Sequence, residues 1–310
     1  MRKNIAKWLL IPLSIVLSIA GIANSEEAPS PEPFSDVEED DYHYVAIKSL
    51  REMGIIDGYE DNTFRSHEKI NRAEALKMIT LASGAISGEP NEISEDPFTD
   101  TPAASWYSPY LAAAKEIGII DGYDDGSFQP EKNINLAEAL KIYLESFPNL
   151  SYPDPNLHLF ADTPIDAWYT PYTSLADSRE MLEIHPTNEI YPSQEISRGY
   201  LAEIIYKLLK FSDGYHFGKA TFYGKALQGN FTASGEIFDY FQLTAAHKEL
   251  PFGTMVKVTN LANNKSITVE ITDRGPYGPG RVIDLTTTAF EEIAWIGWGI
   301  INVQYQIIEQ

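Results

Sequence analysis

An internal repeat constrains the fold of this 310-residue chain more than any other feature of its sequence. Residues 33–36 (Pro-Phe-Ser-Asp) return as 97–100 (Pro-Phe-Thr-Asp) and, more loosely, as 159–162 (Leu-Phe-Ala-Asp), so that successive Phe residues lie 64 and 62 positions apart. Residues 54–59 (Gly-Ile-Ile-Asp-Gly-Tyr) are repeated unchanged at 118–123. Blocks that match at matching offsets predict tandem structural units, each too small to bury a core alone, that pack on one another.

Each unit has the pattern of two helices joined by a loop. Apolar residues near helical spacing open the first unit, at Val45, Ile47, Leu50 and Met53. Gly54 is placed to end this helix as a C-terminal cap, and the Asp-Gly-Tyr block after it is typical of a turn. Asn71 with Glu74 three residues later predicts a capping box that opens the second helix, and Asn135 with Glu138 predicts the same in the second unit.

Charge divides the chain into parts with different tasks. The net charge is −22, from 23 Lys and Arg against 45 Asp and Glu. Residues 26–212 hold 13 basic and 35 acidic side chains, whereas residues 213–310 hold 7 and 10. Such an acidic balance argues against nucleic acid as a partner, because phosphates are bound by Lys and Arg. The absence of Cys excludes disulfides, thiolate metal sites and a Cys-linked lipid anchor.

The first 25 residues have the layout of a secretory signal peptide. A basic start containing Arg2, Lys3 and Lys7 precedes a 16-residue apolar stretch, 8–23, and a small-x-small site that ends at Ser25. An uncleaved membrane anchor is the alternative, but the stretch is short for a span of about 20 residues. We therefore expect an exported protein that has no membrane contact after signal cleavage and that resides at the cell wall or surface, or in the periplasm if an outer membrane is present.

The repeated region resembles the surface-layer homology (SLH) domain, in three copies over residues 33–86, 97–149 and 159–211. The matching marks are Phe-x-Asp, Trp106-Tyr107, the Asp-Gly-Tyr loop of 121–130 and Ile-Asn-Arg-Ala-Glu at 70–74. The resemblance implies a helical, pseudo-threefold module that binds cell-wall polysaccharide, with contacts from the Arg that opens the second helix. Two residues occupy that position, Arg72 and Arg198, and the alternative is a module that serves only as a spacer.

Two of the three copies depart from the SLH pattern. The second copy has Leu136 where the first has Arg72. The third copy keeps Arg198 but replaces the Asp-Gly-Tyr loop by 184–188 (Ile-His-Pro-Thr-Asn). We therefore expect one or two of the three polymer sites to be inactive.

From about Gly218 the residue pattern changes from that of helices to that of strands. Residues 255–260 and 266–272 alternate between apolar and polar around a turn at 262–265, which predicts a β-hairpin. Further strands are predicted at 280–285 and 299–305, with one short helix at 286–293 between them. Many short strands within about 95 residues predict a small barrel.

This second part resembles the rare-lipoprotein-A (RlpA-like) family, whose relatives include the expansins. The blocks that carry the resemblance lie in order along the chain, at 220–224, 232–239, 243–247, 250–254, 271–277 and 281–285. It implies a six-stranded, all-β double-psi β-barrel over residues 215–308. The fold class expected for the whole chain is therefore multidomain, a mainly-α three-repeat SLH module followed by this barrel.

The RlpA-like resemblance also implies peptidoglycan as substrate and lytic transglycosylase activity. The family's active-groove positions fall on four residues, Glu236, Asp239, His247 and Asp273. Glycosidic cleavage needs a carboxylic acid that protonates the leaving oxygen and a charge that stabilises an oxocarbenium-like transition state. We expect Asp273 to be the acid and base, Asp239 or Glu236 to stabilise the cation, and His247 to hydrogen-bond a carboxylate.

Substrate contacts are predicted for Tyr223, Phe238 and Tyr277, as faces for sugar rings, and for Arg274. Asp284 is interpreted as the structural partner of Arg274 or Arg281. Asp273 and His247 also have a purely structural interpretation. Residues 273–276 (Asp-Arg-Gly-Pro) suit a turn, and a lone His such as His247 is commonly half-buried with its hydrogen bonds satisfied.

Three functions remain open at this point. The chain is expected to be a peptidoglycan lytic transglycosylase that forms 1,6-anhydro products and is tethered by its repeats to a secondary cell-wall polysaccharide. The alternatives are a non-catalytic, expansin-like wall-loosening protein and a structural surface-layer component. No metal or organic cofactor is implied by any of the motifs.

Overall fold

A computed structural model describes residues 32–86, 90–147, 150–154, 160–278 and 280–309. The signal peptide predicted at residues 1–25 lies outside these ranges. Residues 33–310 form one compact unit. Across the described ranges, every helix is too short or too polar to traverse a bilayer.

Six helices follow one another along the chain, two in each of three units that we term units one, two and three, and the first helix of each unit packs on the second helix of another. They are α1 (Tyr44–Glu52) with α2 (Arg72–Ala82), α3 (Ser108–Glu116) with α4 (Leu136–Glu145), and α5 (Thr170–Ser178) with α6 (Arg198–Ser212). Both predicted capping boxes are present, at Asn71 with Glu74 and at Asn135 with Glu138. Gly54 follows α1 with φ +71°, as predicted for a cap, and Glu180 adopts the same left-handed backbone in unit three with φ +56°.

The Asp of the repeated Phe-x-Asp motif has a structural task in all three units. The Asp36 carboxylate accepts hydrogen bonds from the backbone N–H groups of Phe64 and Arg65, both at 2.7 Å. Asp100 accepts from residues 128 and 129, and Asp162 from residues 190 and 191. Each carboxylate fixes the loop that leads into the second helix, so the motif persists in unit three although the Asp-Gly-Tyr loop is lost.

A cyclic set of backbone hydrogen bonds joins the three units, and we call it the isoleucine ring. The N–H of Ile70 donates to the carbonyl of Ile196 at 3.2 Å, that of Ile196 to Ile134 at 3.1 Å, and that of Ile134 back to Ile70 at 3.1 Å. All three side chains are buried. Every unit therefore both gives and receives a bond at the centre of the module.

The two arginines predicted to contact wall polymer are buried ties between neighbouring units. Arg72 is 7% exposed, donates from Nε to the carbonyl of Phe128 at 2.9 Å, and lies 3.6 Å from the Glu138 carboxylate. Arg198 donates in the same way to the carbonyl of Phe64 at 2.8 Å and lies 3.3 Å from Glu74. Their predicted polymer contacts stay a prediction, since these guanidinium groups already have protein partners.

At the interface between units two and three, both partners of this ion pair are replaced by other residues. Leu136 replaces the arginine, and Tyr200 stands in unit three at the position that Glu74 and Glu138 hold in units one and two. Leu136 is 1% exposed, so an apolar contact fills the place of the pair. Loss of both partners together avoids a buried charge without a counter-ion.

Six strands make up the second part over the described residues. They are β1 (Tyr215–Tyr223), β2 (Thr244–His247), β3 (Met255–Asn260), β4 (Ser266–Asp273), β5 (Arg281–Thr286) and β6 (Ile301–Glu309). They pair in the order β1-β5-β2-β4-β3-β6, and β6 pairs again with β1, so that each strand has two neighbours. The hairpin predicted for β3 and β4 is confirmed, as is the short helix, α7 (Thr287–Ile293).

The barrel and unit three share a continuous apolar contact. Phe217 of β1 is 1% exposed and belongs to the core of the helical units, where its ring meets Tyr206 of α6. The Tyr206 hydroxyl donates to Gln304 of β6 at 2.9 Å. Glu180 accepts a hydrogen bond from the Phe217 backbone N–H and lies 3.5 Å from the His216 ring. The strands are thereby fixed against unit three.

We expect Arg72→Leu to lower the free energy of unfolding by about 3 kcal/mol, because it leaves the partly buried Glu138 without its cation and the Phe128 carbonyl without a donor. The double variant Arg72→Leu/Glu138→Gln should lose less, since no unpaired charge remains. Urea unfolding followed by circular dichroism measures both.

The control is Lys257→Leu, which removes an exposed cation from β3 and should change the unfolding free energy little. If Arg72→Leu unfolded at the same urea concentration as this control, the tie between the units would carry no stability.

Candidate active site

A row of four residues crosses the outer face of the barrel from β1 to β4. Thr221 pairs with Asp284 of β5, Asp284 with Ala246 of β2, and Ala246 with Asp273 of β4. We call this set the carboxylate row. It faces outward because its strand neighbours, among them Ile283 and Leu285, lie in the barrel core.

A register shift brings Asp273 into this row. Ala245 pairs with Ile271, but Ala246 pairs with Asp273, so Thr272 is skipped. Strict alternation from the buried Ile271 would have pointed Asp273 into the barrel. Such bulges redirect side chains and are common beside active sites.

Within the carboxylate row, Asp284 has a raised pKa. Burial raises the pKa of its carboxyl group, and the nearby Asp273 charge raises it further. The hydroxyl of Thr221 donates to its Oδ1 at 2.5 Å and, with the Arg281 charge, acts in the opposite direction on this pKa. The net effect is a raised pKa, so the Asp284 carboxyl group stays protonated to a higher pH than an ordinary Asp.

Asp284 is predicted to pair with Arg274 or Arg281, and the predicted pair with Arg274 is wrong. The Arg274 guanidinium donates to the carbonyls of Leu250 at 2.9 Å and His247 at 3.2 Å, and it stacks 3.8 Å above the Phe252 ring. Arg274 thus braces the loop after β2. Its predicted contact with substrate has no support from this geometry.

Asp273 is held by backbone donors instead of by a cation. Its Oδ1 accepts from the N–H of Arg274 at 2.8 Å and from the N–H of Ala233 at 2.9 Å. The N–H of Ser234 also donates to the Thr272 carbonyl at 3.1 Å. Residues 230–238 are therefore docked on the end of β4, and two backbone dipoles point at the Asp273 carboxylate.

The remaining predicted carboxylates lie on and beside this docked loop. Glu236 is exposed on the loop, four residues from Thr232, whose N–H donates to the Glu236 carbonyl at 2.8 Å. Asp239 is half-buried and accepts from the backbone N–H of Phe241 at 3.2 Å. Both belong to the segment that follows the docked residues 230–235, whereas the carboxylates of the row itself are those of Asp273 and Asp284.

The predicted hydrogen bond between His247 and a carboxylate is wrong. Its Nδ1 accepts from the backbone N–H groups of Leu250 at 3.0 Å and Glu249 at 3.1 Å, so the proton is on Nε2, which donates to the Tyr305 hydroxyl at 3.1 Å. Burial lowers its pKa to about 4. His247 is a neutral ring that shapes the turn after β2.

The three predicted sugar platforms differ in exposure. Phe238 is 2% exposed and packs against Tyr223 with ring centroids 4.9 Å apart, so its predicted sugar contact is wrong. Tyr223 is half-buried, and burial raises the pKa of its phenol. Tyr277 is 82% exposed, four residues after Asp273, and its contact with sugar stays a prediction.

Thr221 and Ala246 are not among the residues predicted for the site, and Asp284 is predicted only as a structural partner. The available signal was alternation, since Asp284 lies between the apolar residues Ile283 and Leu285 and must point away from a core that they enter. What alternation does not reveal is which strands lie side by side, and that decides which polar residues meet.

Comparison with known families covers both parts of the chain. Residues 216–305 match the family model described as lytic transglycolase, and residues 33–76 and 97–140 match the S-layer homology domain. The chain is 40% identical over 127 residues to the endolytic peptidoglycan transglycosylase RlpA of Vibrio cholerae, covering 41% of this chain and 48% of that protein. It is 50% identical over 92 residues to a probable endolytic peptidoglycan transglycosylase RlpA of Synechocystis, covering 30% and 29%.

The chain thus spans about half or less of the length of these curated relatives. Among solved structures, a Clavibacter michiganensis expansin in complex with cellohexaose aligns with 20% identity and a TM-score of 0.26, covering 31% of this chain and 50% of that one. The Streptomyces papain inhibitor aligns with 24% identity and a TM-score of 0.27, covering 31% and 94%. By its family matches, this chain joins S-layer homology repeats to a domain of the lytic transglycolase family.

Proposed function

We propose that this protein is an exported, wall-tethered lytic transglycosylase that cleaves the MurNAc-GlcNAc bond of peptidoglycan and leaves a 1,6-anhydro end. The observation that carries the proposal is the carboxylate row, in which a half-buried acid with a raised pKa on β5 lies across β2 from a carboxylate on β4 that is held by backbone donors. Such a pair offers the proton donor and the negative charge that glycosidic cleavage requires. The match to the lytic transglycolase family supports the same reaction.

The geometry favours a division of roles that differs from the expectation for Asp273. In our proposal the protonated Asp284 donates to the leaving GlcNAc oxygen, and the Asp273 carboxylate stabilises the positive charge on the muramyl ring. The muramyl C6 hydroxyl then attacks C1 and returns its proton to the Asp284 carboxylate, so the acid is regenerated. Glu236 and Asp239 orient the sugar from the loop above, and Tyr277 offers a ring face.

We further propose that residues 159–211 are a third, divergent SLH repeat and that residues 215–308 form a double-psi β-barrel. Unit three makes the same ring bond and the same Asp-capped loop as units one and two, which supports a common origin of the three. The pairing order of the six strands, with parallel β1-β5 and β2-β4 pairs, supports the barrel assignment.

The repeats are proposed to hold the protein on a secondary cell-wall polysaccharide. Exposed aromatic side chains stand at equivalent positions before the first helix of each unit, namely Tyr42, Trp106 and Trp168, which are 45%, 53% and 55% exposed. Aromatic faces suit sugar rings, and these three are repeated with the units. They are better placed for polymer contacts than the buried Arg72 and Arg198.

A non-catalytic, expansin-like role is the second candidate. The docked loop with exposed Phe231 (78%) and Ile237 (65%) supports a surface that binds a polymer by contact alone. The two candidates differ in whether covalent products form.

We expect Asp284→Asn to lower the release of anhydro-muropeptides from purified peptidoglycan by at least about 100-fold, and Asp273→Asn to lower it by a smaller factor. Mass spectrometry of the soluble products measures both. The matched control is Glu291→Gln on α7, which removes an exposed carboxylate that is not part of the row and should leave the rate unchanged. Binding of the native chain without any products, where a reference enzyme gives them, would establish the second candidate instead.

The pH dependence of cleavage tests the role of Asp284 separately. Activity that needs protonated Asp284 falls as pH rises through its raised pKa. Thr221→Val removes a hydrogen bond that lowers this pKa, so the alkaline limb of kcat/KM should move to higher pH, whereas Thr221→Ser should keep the native profile. A limb that stayed in place in Thr221→Val would assign the titration to another group.

Wall retention tests the tether. We expect Trp106→Ala/Trp168→Ala to lower the fraction of protein that sediments with purified walls, with no change in melting temperature, because both side chains are exposed. Trp298→Ala on the barrel, 51% exposed, is the matched control and should be retained like the native chain. Equal retention of all three proteins would contradict the aromatic tether.

A further inference from the structure

The docked loop between β1 and β2 carries two exposed apolar side chains that the barrel core does not use. Phe231 and Ile237 lie opposite each other in an antiparallel bridge. Residues paired in this way have side chains next to each other on one face, so the two form a continuous apolar surface, which we call the apolar pair. Neither residue is part of the buried core of the barrel.

The opposite face of the docked loop is turned toward the barrel. Thr232 and Phe238, the chain neighbours of the apolar pair, are only 7% and 2% exposed, and Phe238 packs on Tyr223. Because successive side chains of an extended backbone point to opposite sides, the apolar pair faces away from these contacts. Packing of the loop therefore does not require apolar residues at 231 and 237.

Backbone hydrogen bonds hold the apolar pair close to the carboxylate row. The N–H of Ala233 donates to Asp273 Oδ1 at 2.9 Å, and the N–H of Ser234 donates to the Thr272 carbonyl at 3.1 Å. Phe231 precedes Ala233 by two residues, so their Cα atoms are at most about 7 Å apart. An exposed apolar surface that is rimmed by polar groups is typical of a ligand contact.

The charge around the apolar pair indicates which part of a glycan strand it contacts. Glu236 directly precedes Ile237, Asp239 follows it by two residues, and Asp273 holds the tip of the loop. Three carboxylates disfavour the lactyl arm of muramic acid, which ends in a carboxylate or carries a peptide that bears carboxylates. The N-acetyl group is neutral, ends in a methyl group and occurs on both sugars of the repeating unit, so it suits an apolar contact in acidic surroundings.

We propose that Phe231 and Ile237 contact the methyl group of an N-acetyl substituent and make the site selective for N-acetylated sugars. This rests on the proposed action on peptidoglycan. The apolar pair determines specificity and takes no part in the cleavage steps. The docked loop then has two tasks, since its tip holds Asp273 and its outer face recognises the sugar.

Binding is measured with full chains that carry Asp284→Asn, so that strands are not consumed, and this variant is the parent of the others. The probes are glycan strands that are N-deacetylated and then N-acylated again, one batch with acetyl and the other with formyl groups. Both batches are neutral at nitrogen and differ by one methyl group per sugar. The parent should bind acetyl strands about fourfold more tightly than formyl strands, which is the effect of burying one methyl group. Phe231→Ser/Ile237→Ser should bind both batches equally, because it lacks the apolar surface.

The matched control is Leu227→Ser/Phe241→Ser, which removes two exposed apolar side chains of the same segment outside the pair and should keep the preference of the parent. Equal binding of both batches by the parent, or a preference that persists in Phe231→Ser/Ile237→Ser, overturns the inference. Loss of the preference in the control overturns its assignment to these two residues.

The same strands separate this inference from the proposed cleavage. A preference for acetyl strands, together with a native chain that yields no anhydro products, would support the apolar pair and overturn only the cleavage. Anhydro products from a chain without the preference would overturn only the apolar pair. Thermal melting of each variant confirms that it is folded.

Discussion

The isoleucine ring is the constraint on which the rest of this structure depends. Ile70, Ile134 and Ile196 exchange backbone hydrogen bonds in a cycle, so removal of any unit would leave a buried donor and a buried acceptor without partners. Because α6 begins two residues after Ile196 and leads directly into β1, the ring also sets where the barrel starts. Phe217 then carries the core of the helical units into the first strand. The helical units and the barrel are in this way parts of one packed body.

The chemistry of the candidate site depends on two local departures from regular sheet geometry. The register shift at Ala245 and Ala246 points Asp273 outward, and a second shift, at Lys219 and Ala220, pairs Lys219 with Arg281. With strict alternation the carboxylate row would lose Asp273. Burial raises the pKa of Asp284, and two backbone N–H groups donate to the Asp273 carboxylate.

What the sequence predicts well is what depends on neighbours along the chain. The capping boxes at Asn71 and Asn135 and the β3-β4 hairpin are confirmed, because their partners lie within about ten residues. The errors concern contacts between distant segments. His247 has the motif of a residue that hydrogen-bonds a carboxylate, but its Nε2–H donates to the Tyr305 hydroxyl. The ion pair of Arg72 with Glu138 of another unit is likewise absent from the sequence-based expectations, whereas its polymer contact stays a prediction. No local pattern reveals such partners.

Negative charge is distributed unevenly between the two parts of the chain. Residues 26–212 carry 35 acidic against 13 basic side chains, so at long range the helical module repels anionic polymers, although screening confines this to about 8–10 Å at physiological salt. Attraction must then be local. Residues 213–310 hold 7 basic and 10 acidic side chains, so the net charge of the second part is only −3. In the proposed function, an anionic glycan strand is therefore repelled less by the barrel than by the helical units, and short-range contacts at the carboxylate row decide where its sugars bind.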